Sequence, residues 1–330
     1  MFKLTGIIHR FRYVECQLKE LRRAKTPNQL SLLLRSLPRD LDETYERILS
    51  NIDEIYVDDV RRILTVLCVS TRPVTTDELS HAVAVDLRAP NLDCGKLYEQ
   101  NDLIYICNGL VEMVKRGNFG GQEVFTARIA HFSVQEYLQS KRILQHPQPK
   151  TNRFAIQSEP ANTEIAQICI AYLLEPMLSS GIVDQAKVRE FPLAHFAAKH
   201  WYHHYLNSQQ DKPKVKKLLQ RLFQDDANHF VTWIRLFNVE YMDFPRLARK
   251  YDAPTEDIPS PLYYASFLGL DSILNSIIAF GAKYTRVFDI VNAQGGQFGN
   301  ALQAASFRGH EKVVQKLLDK SANSNIHNRE

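Results

Sequence analysis

The sequence lacks both a dense set of cysteines and a long apolar run, and each absence narrows the class of protein. Its 330 residues include 5 cysteines without a CxxC pair, which argues against a disulfide framework and a zinc knuckle. No window reaches the roughly 20 apolar residues of a membrane span, and His9 with Arg10 interrupts the first apolar stretch. We therefore expect a soluble, cytoplasmic protein without membrane contact.

The common catalytic motifs are missing as well. The sequence contains neither GxxxxGK[ST] nor GxSxG, and it lacks the apolar strand with paired acids that holds a magnesium ion in many NTPases. Without a loop of backbone amides and a lysine around the phosphates, the sequence lacks the groups that bind and polarise a nucleotide for hydrolysis. The sequence predicts a protein that is not an enzyme and binds no cofactor.

Local signals predict a mainly α fold. In the helical segment at residues 26–53, Thr26 and Gln29 form a capping box around Pro27. Thr75 and Glu78 form a second capping box. Apolar residues at helical spacing predict three helices, and they are Leu30, Leu33, Leu34 and Leu37 in one helix, Leu41, Tyr45, Ile48, Leu49 and Ile52 on one face of the next, and Val57, Val60, Ile63, Leu64 and Leu67 on one face of a third.

A change of period follows these helices. The stretches "GLVEMVKRG" and "VFTARIAHF" flank "NFGGQ" and predict a β-hairpin, after which Ser133 with Glu136 predicts another capped helix. Helices followed by a hairpin wing are typical of a winged-helix domain, here residues 54–146. Its presumed recognition helix, "TTDELSHAVAV", is acidic, so we expect no nucleic acid as partner.

Residues 147–257 predict a helical linker region, and its histidines raise the question of a metal site. The helix in "FPLAHFAAKHWYHHYL" places His200 and His204 four residues apart, a spacing that suits a metal ion. No acidic or cysteine ligand lies beside them in the sequence. We therefore predict an amphipathic helix with polar histidines and no bound metal.

Residues 258–330 contain an internal repeat. Aligning "SPLYYASFLGLDSILNSIIAFGA" with "NALQAASFRGHEKVVQKLLDKSA" places Leu302 40 residues after Leu262 and Gly309 after Gly269. Ser260 or Asn300 then caps the first helix of each unit. Both units resemble the ankyrin repeat, although that family's period is about 33 residues, so "KYTRVFDIVNAQGGQFGN" carries an insertion.

The ankyrin resemblance implies a groove that contacts a protein partner. It assigns to this groove six residues, Tyr264, Phe267, Leu268, Ala304, Phe307 and Arg308. Aromatic and arginine side chains often dominate the binding energy of an interface. The alternative is that Phe267 and Phe307 pack against each other, because aromatic side chains also bury well.

A longer resemblance covers most of residues 11–146. The phrases "LPRDLDETYERIL", "TVLCVSTRPVTTDEL" and "ARIAHFSVQEYL", followed by ankyrin-like repeats, resemble the region downstream of the NACHT NTPase in fungal STAND proteins, which are NLR-like switches. Residues 1–25 then resemble the last NACHT helix. The resemblance implies a nucleotide-sensing role for His131, whereas a histidine hydrogen-bonded for packing is the favoured interpretation here.

These patterns together predict a non-catalytic scaffold that relays a signal and binds a protein through its ankyrin face. The resemblance also implies an oligomer in a full-length context. The alternative is a regulated STAND NTPase whose P-loop domain is missing from this chain.

Overall fold

The structure is a computed structural model that describes residues 12–18, 21–119, 122–180, 183–208, 213–224, 228–242, 251 and 254–322. The first part of the predicted NACHT remnant, residues 1–11, and the end of the repeat region, residues 323–330, lie outside the described residues. The chain forms two units. The first comprises Met1–Val83 with Tyr98–Ala161, and the second comprises Ala84–Leu97 with Asn162–Glu330. The described elements are mainly helical, as the sequence predicts.

The first unit consists of short helices and one small sheet. Residues 12–18 are helical. The elements that follow are α1 (Pro27–Arg35), α2 (Leu41–Ser50), α3 (Val57–Val69), β1 (Val74–Thr75) and α4 (Thr76–Ala84), then α5 (Gln100–Tyr105), β4 (Val111–Phe119), β5 (Gln122–Ile129), α6 (Phe132–Leu138), α7 (Lys141–Leu144) and α8 (Pro149–Asn152).

The predicted hairpin is confirmed and forms most of the sheet. Strands β4 and β5 pair antiparallel from Val111 opposite Ile129 to Phe119 opposite Gln122, with a register shift between Lys115 and Gly117. Strand β1 adds to the other edge of β5, so the strand order is β1-β5-β4. A hairpin that follows several short helices is the arrangement that the sequence predicts for a winged helix.

The capping box that starts α4 is confirmed as well. The Glu78 backbone N–H donates to Thr75 Oγ1 at 3.1 Å, and the Thr75 N–H donates to Glu78 Oε2 at 2.8 Å. Arg72 adds an ion pair to the same carboxylate, which is largely buried. Two orphan donors at the helix start are therefore satisfied by residues three positions apart in the sequence.

The predicted apolar face of α3 lies in the core, where Val57, Val60, Ile63 and Leu64 are fully buried. The leucines of α1, in contrast, lie outside the core. No residue of α1 is buried, and Leu34 is 51% exposed. The helix itself forms where predicted because its signals are local: Pro27 stands at its start, and the Gln29 N–H donates to Thr26 Oγ1 at 3.2 Å. Periodicity shows which face can be buried, but burial needs a neighbouring element to cover it.

The second unit is built from helices, with one short ladder of β2 (Val85–Asp86) and β3 (Asn91–Leu92). Its helices are α9 (Ser158–Leu173), which begins in the first unit, α10 (Pro176–Ser179), α11 (Gln185–Glu190), α12 (Ala194–Leu206), α13 (Pro213–Gln224), α14 (His229–Leu236), α15 (Pro261–Phe267), α16 (Leu274–Gly281), α17 (Val287–Val291), α18 (Ala301–Phe307) and α19 (Glu311–Leu318).

Aromatic side chains form the centre of this unit. Trp201 and Trp233 are fully buried, and their rings meet edge to face at 5.4 Å. Phe223 and Phe230 pack on Trp233 at 5.5 and 5.8 Å. Edge-to-face contacts of this kind stabilise a core beyond the burial of apolar area alone. No helix in the described part of the chain is long and apolar enough to cross a membrane.

Candidate functional site

Two helical hairpins, α15 with α16 and α18 with α19, carry the predicted repeat. The caps at their first helices are confirmed. The Tyr263 N–H donates to Ser260 Oγ at 3.2 Å, and the Gln303 N–H donates to Asn300 Oδ1 at 2.9 Å. Each cap satisfies one of the unpaired donors at the start of a helix. The two hairpins therefore begin in the same way, 40 residues apart.

Their turns also match. Gly269 and Gly309 lie in the left-handed region, with φ of 69° and 71°. In each turn the residue after the glycine donates its N–H five residues back, from Leu270 to Ala265 O and from His310 to Ala305 O, both at 2.9 Å. Glycine takes this backbone conformation without the steric cost that a Cβ imposes. The sequence repeat is thus a repeat of backbone geometry.

The hairpins contact each other through polar groups at the turns. His310 Nε2 donates to Phe267 O at 3.0 Å, and Lys316 Nζ donates to Asp271 O at 2.7 Å. The His310 ring covers Gly269 so closely that a Cβ there would lie 2.6 Å from Nδ1. Burial lowers the pKa of His310, since the charged form loses solvation. The second hairpin is therefore hydrogen-bonded to the turn of the first.

The insertion between the hairpins has a defined structure. It contains α17 and a loop in which Gly296, with φ of 75°, lies against the ring of Tyr263. The Gln297 N–H donates to Glu240 Oε1 at 2.8 Å, and the Phe298 N–H donates to Tyr263 Oη at 3.3 Å. The Tyr263 hydroxyl itself donates to Glu240. This network fixes the position of Phe298, a residue for which sequence analysis predicts no role.

Phe298 lies between Phe267 and Phe307, the two phenylalanines of the predicted groove. Its ring stacks on Phe267 at 5.9 Å and on Phe307 at 4.3 Å, with interplanar angles of 24° and 28°. The Arg308 guanidinium lies over the ring of Phe267, 4.9 Å from its centre. We call Phe267, Phe298, Phe307 and Arg308 the aromatic ladder. Direct packing of Phe267 against Phe307 is thus replaced by stacking through Phe298.

The six predicted contact residues divide by burial. Tyr264, Leu268 and Ala304 are at most 2% exposed. Tyr264 packs against Phe230 at 5.7 Å and belongs to the core of the unit. Phe307 is 69% exposed, and Arg308 is also exposed. A partner that approaches the hairpins therefore meets Phe307 and Arg308, supported by the buried Phe267 beneath them.

His131 caps a helix. Its Nδ1 accepts from the Ser133 N–H at 3.2 Å and lies 2.6 Å from Ser133 Oγ, which is 2.7 Å from the Tyr45 hydroxyl. The predicted cap at Ser133 is therefore wrong, because a ring nitrogen two residues earlier already supplies the acceptor. This geometry agrees with a histidine that is hydrogen-bonded for packing. The nucleotide-sensing role of His131 still rests on the family resemblance alone.

His200 and His204, the histidine pair of α12, also make packing contacts. His204 is fully buried, and its Nδ1 donates to Asn162 Oδ1 at 2.8 Å. Burial lowers the pKa of His204 to about 4, with a smaller contribution from His203. The His200 ring lies 4.9 Å from Phe196. Among the described residues, no three histidine, cysteine or acidic side chains are grouped in a way that holds a metal ion.

The fold and a comparison with protein families define the class of the first unit. Residues 45–157 match the family model of the GPI inositol-deacylase winged helix domain, and this span contains residues 54–146, over which the sequence predicts such a domain. The chain therefore contains a winged-helix domain with β4 and β5 as its wing.

A fungal relative is similar along most of the chain. The azaphilone pigments biosynthesis cluster protein L of Monascus ruber is 62% identical over 301 residues, which are 91% of this chain and 63% of that protein. The chain thus spans less than two thirds of the relative's length. No solved structure matches.

Proposed function

We propose that this chain is a non-catalytic protein-interaction and signal-relay scaffold whose repeat hairpins bind a protein partner. The observation that carries the proposal is the duplicated hairpin. Two copies of one capped helix–glycine turn–helix unit pack side by side and present Phe307 and Arg308 at the same edge. Repeats of this kind are used in proteins mainly to build binding surfaces.

The chemistry of the exposed edge supports a protein partner. Phe307 is stacked on Phe298 and is therefore held in place before binding, which lowers the entropy lost on association. Arg308 adds a planar cation suited to a carboxylate or a carbonyl. Aromatic residues, phenylalanine included, and arginine are enriched at protein interfaces relative to the rest of the surface.

We extend the family resemblance as part of the same proposal. The hairpins are ankyrin-type repeats, and the winged helix in front of them is that of a NACHT or STAND protein. The name of the Monascus relative refers that protein to the biosynthesis of azaphilone pigments. For the present chain we propose an accessory role in such a pathway, with a protein of the same biosynthesis cluster as partner.

A second candidate function is a regulated STAND NTPase whose P-loop domain is missing from this chain. The length of the Monascus relative favours this candidate, since the match with our chain leaves 37% of that protein uncovered. The two functions differ in the upstream coding sequence. A transcript that continues upstream into GxxxxGK[ST] would favour the NTPase, and the scaffold would then be one part of a switch.

The binding proposal is tested at the exposed edge. We expect the double substitution Phe307→Ala with Arg308→Ala to weaken binding of a cluster-encoded protein at least about tenfold, since such anchors each contribute one to several kcal/mol. Binding would be measured by surface plasmon resonance, with each protein of the cluster passed in turn over the immobilised chain.

Tyr284 supplies the matched control. Its ring is 70% exposed in the same unit but outside the aromatic ladder, so Tyr284→Ala should leave the affinity unchanged. If no protein of the cluster binds, or if both variants bind as tightly as the original chain, the proposed surface is wrong.

A further inference from the structure

A second feature of the molecule, in the first unit, is a cavity of about 460 Å³. It lies between the helical residues 12–18, α2 and the turn at Asn108 and Gly109. The proposed function makes no use of it. Cavities of about 300–1,000 Å³ are those in which proteins hold small molecules.

Positive charge dominates the wall of this cavity. Its lining includes Arg12, Arg23 and Arg47, and no carboxylate belongs to the part of the lining that the structure describes. Arg12 is only 8% exposed, although an arginine is rarely buried without a partner for its charge. Its Nη1 donates to Glu15 Oε2 at 2.8 Å, but its Nε is buried and has no hydrogen-bond partner among the described residues. The described residues thus leave one buried guanidinium donor without an acceptor.

The remaining wall supplies polar and apolar contacts. Gln17 is 7% exposed, and no described residue donates to its buried Oε1, while its Nε2 donates weakly to Thr44 Oγ1 at 3.4 Å. Pro38 and Ile48 form an apolar side. A buried polar atom without a partner costs on the order of 1–3 kcal/mol. The cavity beside these two residues has room for a ligand whose anionic group lies against the Arg12 guanidinium.

We propose that this cavity binds a small molecule that carries a phosphate group. A phosphate accepts several hydrogen bonds at once, and its geometry matches the donor fork of a guanidinium. Its charge of nearly two suits a wall with several arginines better than a single carboxylate does. In this arrangement the phosphate lies against the three arginines, and an apolar part of the ligand lies on Pro38 and Ile48.

The test uses the whole chain and three probes of defined chemistry. Isothermal titration at constant ionic strength would compare phenyl phosphate, inorganic phosphate and phenol. We expect saturable binding of phenyl phosphate, weaker binding of inorganic phosphate and no binding of phenol. Inorganic phosphate binding as tightly as phenyl phosphate would assign the site to the free ion. Absence of saturable binding for both phosphates at millimolar concentration would overturn the proposal.

Substitutions connect the binding to the cavity. Arg12→Gln should weaken phenyl phosphate binding at least tenfold, and the pair Arg23→Gln with Arg47→Gln should do the same without changing a fully buried position. Arg39→Gln is the control, since its side chain is 90% exposed and outside the lining. Circular dichroism would show that each variant is folded. Equal loss in Arg39→Gln, or full retention in the Arg23 and Arg47 pair, would contradict the assignment.

Discussion

At the scale of single residues, the burial of His204 makes stability depend on pH. Its pKa is about 4 in the folded chain, because burial disfavours the charged ring, against about 6.5 for an exposed histidine. Between these values the unfolded chain binds the extra proton, so this contribution to stability is complete above about pH 6.5 and is lost as the pH falls toward 4. We expect His204→Gln to flatten the fall in the urea midpoint between pH 7.5 and 4.5.

His203 is the neighbouring control for this prediction. It is exposed on the same helix and makes only the smaller contribution to the lowered pKa of His204, so His203→Gln should retain most of the slope of the original chain. Some slope should remain in His204→Gln, since burial also lowers the pKa of His81 and His310. A slope in His204→Gln as steep as in the original chain would show that the buried ring does not govern the acid sensitivity.

At the scale of the elements, the two glycine turns form a natural matched pair. An alanine at either position must adopt a left-handed backbone, which costs roughly 1–2 kcal/mol. At Gly309 a Cβ meets nothing within 4 Å, whereas at Gly269 it would lie 2.6 Å from the His310 ring. We therefore expect Gly269→Ala to lower the free energy of unfolding more than Gly309→Ala does, measured by urea denaturation.

The difference between the two glycine variants reports how tightly the hairpins stack. In Gly269→Ala the ring must move, and the hydrogen bond from His310 to Phe267 O is lost with it. Combining Gly269→Ala with His310→Ala should cost less than the sum of the two single changes, since the clash disappears. Equal losses for Gly269→Ala and Gly309→Ala would mean that the hairpins do not stack as described.

These elements also show how far sequence reasoning reaches. The caps at Thr75, Ser260 and Asn300 and the β-hairpin are predictable, because each depends on residues a few positions apart. The burial of Tyr264 is not, since Phe230, which covers it, lies more than 30 residues away in the chain. Phe298 has no signal apart from being an aromatic residue in an insertion. Local hydrogen bonds can be predicted because they join residues that are close in the sequence, whereas the candidate surface depends on tertiary packing.

At the scale of the whole molecule, each unit has its own buried core, and the two tryptophans of the chain report on only one of them. Trp201 and Trp233 both lie in the second unit, so tryptophan fluorescence follows its unfolding, while far-UV circular dichroism follows both units. Leu64 is fully buried in the first unit and Leu219 in the second. Replacing a buried leucine by alanine typically costs about 2–5 kcal/mol.

We therefore expect Leu64→Ala to shift part of the circular dichroism transition in urea to lower concentration and to leave the fluorescence midpoint unchanged. Leu219→Ala is the reciprocal variant and should shift the fluorescence midpoint. The reason is that a cavity weakens the unit whose core it interrupts, provided that the units unfold separately. If Leu64→Ala lowers the fluorescence midpoint as much as Leu219→Ala does, the chain unfolds as one cooperative body, and a signal at one unit would then be felt throughout the other.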